Sequence, residues 1–119
     1  MVKGNLLVDK SRAFALESIN AYKRLQRRNE HVLSNQFLRS ATSIGANIAE
    51  GQYAQSKADF LSKYTIALKE ASETRYWLNL LVDAGYLSND DAVDEINADC
   101  DELIRLLVAS VKRLKDIGK

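Results

Sequence analysis

The chain has no proline, and its 119 residues include one cysteine, one histidine and one tryptophan. Without proline, the residue least tolerated inside helices, it suits a protein that is helical nearly throughout. A lone cysteine, Cys100, leaves no internal disulfide and fits a reducing cytoplasm. Long apolar runs are missing too. None approaches the roughly 20 residues of a membrane span, and Leu6-Leu7-Val8 is too short for a signal-peptide core. A soluble cytoplasmic protein with no membrane partner is expected. Charge of one sign is also lacking, because 17 basic and 16 acidic residues leave +1.

The balance hides a gradient. Residues 1–30 hold seven basic and three acidic groups, whereas residues 81–119 hold five basic and nine acidic. Opposed ends of this kind leave a polyanion partner open. Length and a 46% hydrophobic content describe a single domain, residues 1–119, with a core that needs neither disulfide nor metal.

Periodicity and punctuation predict four helices, roughly residues 10–28, 32–51, 57–84 and 89–117. The first starts at Asp9 or Ser11, carries Phe14, Ser18, Ala21, Tyr22 and Leu25 on one face, and stops near Asn29. The second starts between Glu30 and Ser34, with Leu33, Phe37, Ala41, Ile44 and Ile48 in register. Ser56 three residues ahead of Asp59 is a capping box for the third, which carries Phe60, Tyr64, Ala67, Ala71, Leu78 and Leu81 and ends near Gly85. Ser88-Asn89-Asp90-Asp91 opens the fourth, whose seam runs Val93, Ile96, Cys100, Leu103, Leu107, Ser110, Leu114, Ile117 at heptad spacing. Short loops make each helix antiparallel to the last. The fold class is all-α, an antiparallel up-down-up-down four-helix bundle.

Two faces exceed what a monomer core requires. On the third helix Ile66, Glu70, Glu73, Trp77 and Leu80 form a second stripe opposite the core, read as a subunit interface with Glu70 and Glu73 paired across it. On the second, Arg39, Ser43, Asn47 and Glu50 line up at spacings of 4, 4 and 3. They meet a neighbouring subunit or a ligand, or else form a solvated back face. A mid-helix glycine costs about 1 kcal/mol against alanine, so Gly45 is expected to permit a close helix approach, while Gly51 ends its helix.

Catalytic and metal chemistry has no sequence signal here. His31 is isolated at a helix boundary, and Cys100 lies in an apolar seam. Glu70 and Glu73 lack the histidine of a di-iron motif, and the five glycines are scattered. No catalytic residue, metal, cofactor or small-molecule substrate is expected; a carboxylate-only enzyme would show itself as a pocket with convergent carboxylates.

In an antiparallel bundle the first helix's start, the second loop and the fourth helix's end share one end. There Lys3, Lys10, Arg12, Lys57, Lys112, Arg113, Lys115 and Lys119 outnumber Asp9, Glu50, Asp59 and Asp116. Lys23, Arg24, Arg27 and Arg28 lie at the opposite end, where Asp90, Asp91, Asp94 and Glu95 neutralise them. Lys10, Arg12, Lys57, Lys112, Arg113 and Lys115 are therefore the candidate nucleic-acid contacts, against the plainer reading that lysines favour helix C-termini.

The run from Gln36 to Gly51, with Ser43-Ile44 followed by Asn47-Ile48-Ala49-Glu50-Gly51, then residues 56–60, 66–70 and 73–78, resembles the bacterial four helix bundle protein family, also called the 23S rRNA intervening-sequence protein family. The resemblance covers roughly residues 10–117. It implies a ring-like homopentamer and an RNA-associated role, and a related branch is similar to the accessory variability protein of diversity-generating retroelements. That branch is strongly basic, unlike this chain. The expected function is a non-catalytic, RNA-associated oligomer binding nucleic-acid backbone through its basic end. The alternative is a protein-interaction scaffold without nucleic-acid affinity.

Overall fold

In the computed structural model, which describes residues 5–117 and only the backbone of Ile117, four helices follow one another with no strand among the described residues. They are α1 (Leu6–Arg27), α2 (Val32–Gly51), α3 (Lys57–Asp83) and α4 (Asp91–Ile117). α1 begins at Leu6 rather than near residue 10, because the Asn5 side chain accepts from the Leu7 and Val8 amides at 2.9 and 3.3 Å. α4 begins at Asp91, with Asp90 Oδ1 accepting from Val93 N at 3.0 Å.

The corners at one end share a design. Asn29 and Gly85 have φ of 61° and 84°, the left-handed conformation that ends α1 and α3. The amides that follow, Glu30 N and Tyr86 N, reach back to the Leu25 and Leu81 carbonyls at 3.0 and 2.9 Å. Arg28 joins the corners by donating to the Gly85 and Tyr86 carbonyls, both at 2.8 Å, while its guanidinium lies over the Tyr86 ring.

Ion pairs run between neighbouring helices in antiparallel order: Lys10–Glu102 for α1 and α4, Arg39–Glu73 for α2 and α3, Arg75–Asp101 for α3 and α4. α2 packs most extensively on α3, and α1 is in thinnest contact with α4. Among the described residues the diagonal pairs make no backbone contact, as an up-down-up-down bundle requires.

The core contains Phe14, Leu25, Phe37, Ile44, Leu78 and Leu107, each with no exposed surface. Buried with them are the hydroxyls of Ser18, Ser34, Ser40 and Thr74. Thr74, absent from the expected α3 stripe, is fully buried with Oγ1 3.0 Å from Ser40 Oγ and 2.7 Å from the Glu70 carbonyl. Phe60, expected in that stripe, is only half-buried. In α4 the buried line passes from Leu107 to Val111, leaving Ser110 and Leu114 half-buried; Ile117's side chain lies outside the described residues. A straight helix of 3.6 residues per turn drifts off a strict heptad, which moves the seam by one position.

Gly45 does lie close against the backbone of α1 at Ser11, but the tighter site is Gly51. A Cβ at Gly45 would sit 3.4 Å from Ser11, an ordinary contact, whereas one at Gly51 would meet Tyr64 Cε1 at 3.0 Å and Phe60 Cδ1 at 3.2 Å. Those two rings are stacked edge-on at 4.5 Å, and Tyr64 is buried with its hydroxyl tied to Asn5 and Gln52, which holds its ring in place. Gly45→Ala is therefore expected to stabilise by up to about 1 kcal/mol, and Gly51→Ala to destabilise by about 1–3 kcal/mol. Urea midpoints of the two variants check this; shifts of the same sign would contradict it.

Candidate nucleic-acid and subunit surfaces

At the basic end, a side-chain network ties three helices together. Asn5 Nδ2 donates to Gln52 Oε1 at 3.3 Å and to the Tyr64 hydroxyl at 3.2 Å. Gln52 Nε2 lies 3.0 Å from both Tyr64 OH and the Ile48 carbonyl. A cleft of about 390 Å³ opens beside it, lined by Leu6, Leu7, Phe60, Tyr64, Leu106 and Arg113, so the α1 start, α3 start and α4 end do meet.

The six cations expected there divide. Lys10 faces α4 and is paired with Glu102 at 3.0 Å, which leaves it less free for phosphate. Arg12 sits on the other side of α1, at a groove of about 250 Å³ against Thr42, Ala46 and Ala49 of α2. Lys57, Lys112, Arg113 and Lys115 are exposed, and with Arg12 they form no ion pair among the described residues. Lys3 and Lys119 lie outside the described residues.

The two stripes suspected of subunit contact form one surface, the α2–α3 seam. Arg39 donates to Glu73 at 2.7 Å and comes within 4.0 Å of Glu70; Trp77 Nε1 donates to the same Glu73 oxygen at 2.9 Å. Glu73 is thus held by its own chain. Glu50 pairs with Lys63 of α3 at 3.2 Å. Ser43 Oγ donates to the Arg39 carbonyl and Asn47 Nδ2 to the Ser43 carbonyl, both along α2 itself. Leu80 and Trp77 are half-buried, whereas Ile66 is 38% and Tyr76 59% exposed. Glu70 Oε1 is buried with no hydrogen-bond partner among the described residues.

At the other end Arg24 lies 3.9 Å from Asp90, and Arg28 caps the α3 corner. Between α1 and α4 runs an open groove of about 470 Å³, lined by Glu17, Asn20, Lys23, Arg24, Arg27 and Glu95 among others. Here one carboxylate oxygen each from Glu17, Glu95 and Asp99 lies within 4.8 Å of the others. Burial, a hydrogen bond with Asp99 and the charges of Asp99 and Glu95 push the Glu17 carboxyl up to about 7. Periodicity could not pair these residues, which come from opposite ends of the sequence; only Glu95 and Asp99 share a helix face.

Convergent carboxylates are the feature an enzyme of this class would show. However, Glu95 is exposed, the groove is open to water, and no serine, threonine, cysteine or histidine is among its lining residues. The donors are all oxygen, and an acidic cluster alone assigns no metal.

Cys100 is inert at neutral pH: burial foremost, then the Asp101 charge, raises its thiol to about 12 against a lowering by Arg75. His31 is exposed beside Gln26. No helix among the described residues is long and apolar enough to cross a membrane.

Among curated proteins none matches the chain. A solved structure from Bacteroides thetaiotaomicron VPI-5482, a protein with unknown function from the S23 ribosomal protein family, is similar at 48% identity and a TM-score of 0.86, over 90% of this chain and 99% of that one. Residues 4–109 match the family described as 23S rRNA-intervening sequence protein. With four antiparallel helices and that match over most of its length, the chain belongs to the 23S rRNA-intervening sequence protein family.

Proposed function

We propose that this chain is a non-catalytic, RNA-associated protein of the cytoplasm that assembles as a ring-like homopentamer and holds RNA backbone through its basic bundle end. The observation that carries the reading is the exposed set Arg12, Lys57, Lys112, Arg113 and Lys115, none of which forms an ion pair among the described residues. Phosphate rewards unpaired cations through counterion release. One bundle end offers few contacts, and a ring repeats them, so multivalency supplies the affinity. The family's link to 23S rRNA points to the same polyanion.

The subunit surface in this reading is the α2–α3 seam, with Arg39, Ser43, Asn47 and Glu50 on α2 and Ile66, Glu70, Glu73, Trp77 and Leu80 on α3. Its support is physical. Arg39 and Trp77 pre-order Glu73, and a donor from a neighbouring copy would satisfy the buried Glu70 Oε1.

Anisotropy titrations of ribosomal RNA fragments across a salt series test the reading, with mass by light scattering in the same buffer. The double change Lys112→Glu, Arg113→Glu is expected to weaken binding at least tenfold and to reduce the log–log salt slope by about 2, since each lost phosphate contact removes close to one unit. Unchanged binding by that variant overturns the basic-end assignment. An intact oligomer that binds nothing at low salt is instead a protein-interaction scaffold.

A further inference from the structure

Tyr53 follows α2 at the basic end and is 87% exposed. A lone exposed tyrosine is ordinary, but this one is held in place. Its amide bonds the Glu50 carbonyl at 3.0 Å, and the next amide bonds the Gly51 carbonyl at 3.2 Å. Gln52 beside it is pinned to Asn5, Tyr64 and the Ile48 carbonyl. The backbone carrying the ring is therefore ordered before any partner arrives, which lowers the entropy lost on contact.

The surroundings also suit a ligand. Thr42, Ala46 and Ala49 succeed one another at spacings of 4 and 3 on one face of α2, which ends at Gly51, two residues before Tyr53. The groove between α1 and α2 is walled by these small side chains and by Arg12 of α1. Lys57 follows four residues after Tyr53, exposed at the start of α3. An aromatic ring presented to water at a bundle end that also exposes the Arg12 and Lys57 cations suits a splayed nucleotide strand. Bases stack on the ring while phosphates meet Arg12 and Lys57. A duplex, whose bases are already stacked, cannot use the ring.

We infer that Tyr53 is a base-stacking platform, and that the nucleic acid taken at the basic end is single-stranded. This rests on the basic-end reading above and adds to it the form of the strand and a contact that carries no charge.

The test uses the full-length oligomer, an unstructured fluorescein-labelled oligoribonucleotide, and a fully paired RNA duplex of the same length. The single strand is expected to bind more tightly. Tyr53→Ala is expected to weaken single-strand binding about tenfold, within the range of one lost stacking contact, with an unchanged salt slope because no cation is removed. Tyr53→Phe keeps the affinity. Tyr53→Trp adds emission that the single strand quenches, over the constant background of Trp77. Equal binding of strand and duplex, with Tyr53→Ala neutral while Lys112→Glu, Arg113→Glu still weakens both, overturns the stacking role and leaves the basic-end reading standing. Absence of any binding overturns both. A lower mass for Tyr53→Ala in light scattering makes Tyr53 a subunit contact and also overturns the inference.

Discussion

Replacing Glu30 by alanine is expected to lower the free energy of unfolding by about 3 kcal/mol, the scale of two charge-assisted hydrogen bonds lost from a site closed to water. Glu30 is 7% exposed. Its two carboxylate oxygens accept from Ser34 N at 2.6 Å and Leu33 N at 3.1 Å, amides of the first turn of α2 that have no partner within the helix. His31 occupies the N-cap position, but its side chain bonds Gln26 and caps no α2 amide, so the side chain that closes this helix start is that of Glu30. The negative charge also faces the positive end of the α2 dipole.

Alanine would leave the buried Ser34 amide and the half-buried Leu33 amide without this acceptor. Glutamine keeps the shape and one acceptor, so Glu30→Gln is expected to cost about half as much. Urea unfolding is the measurement, read as a shift of midpoint at constant slope. A Glu30→Ala midpoint indistinguishable from the parent would show that water or a neighbouring group takes over both amides.

The second large effect is on pH dependence. With its carboxyl raised to about 7 in the folded protein from an ordinary value of 4.5, Glu17 binds a proton more tightly when folded than when unfolded. Folding therefore takes up a proton between these two values, and stability falls as pH rises through that window. Below about 4.5 Glu17 is neutral in both states and imposes no penalty; above about 7 it is ionised beside Asp99 and Glu95 and the full penalty applies. Lys23, Arg24 and Arg27 line the same groove and moderate the repulsion.

Glu17→Gln keeps a hydrogen-bond donor for Asp99 and removes the titration. Its stability curve is expected to be flatter than the parent's between pH 5 and 8 and to lie above it at the alkaline end. Carboxyl carbon shifts from NMR give the direct reading, with Glu17 titrating near neutrality. Parallel stability curves, or a Glu17 transition in the usual carboxylate range, would refute the raised Glu17 carboxyl.

The bundle was legible in the sequence because its determinants are local and periodic. The apolar repeats of Phe37, Ala41, Ile44 and Ile48 and of Val93, Ile96, Cys100 and Leu103 are visible without any partner, and all eight are buried. The Ser56 capping box needs only four consecutive residues, and its Oγ does accept from Asp59 N at 3.0 Å. The run from Gln36 to Gly51, with residues 56–60, 66–70 and 73–78, likewise carried the family resemblance, and each is a short contiguous segment.

What escaped notice depends on groups distant in sequence. Glu17 is separated from Asp99 by most of the chain, and only the antiparallel meeting of α1 with α4 brings their charges together. The polar stripe of α2 and the second stripe of α3 looked like two faces because periodicity describes one helix at a time; Arg39 and Glu73 make them one seam. Glu30 broke the usual preference for short capping side chains, and its reach shows only once the α1–α2 corner is folded. Lys10 counted as a free cation until Glu102 arrived beside it. Local pattern thus determined which residues form helices and which sides they bury, since burial of an apolar stripe needs only its spacing. The tertiary structure decided which charges are neutralised, which protons are held and which rings remain in water, because electrostatic and hydrogen-bond partners are chosen by distance in space.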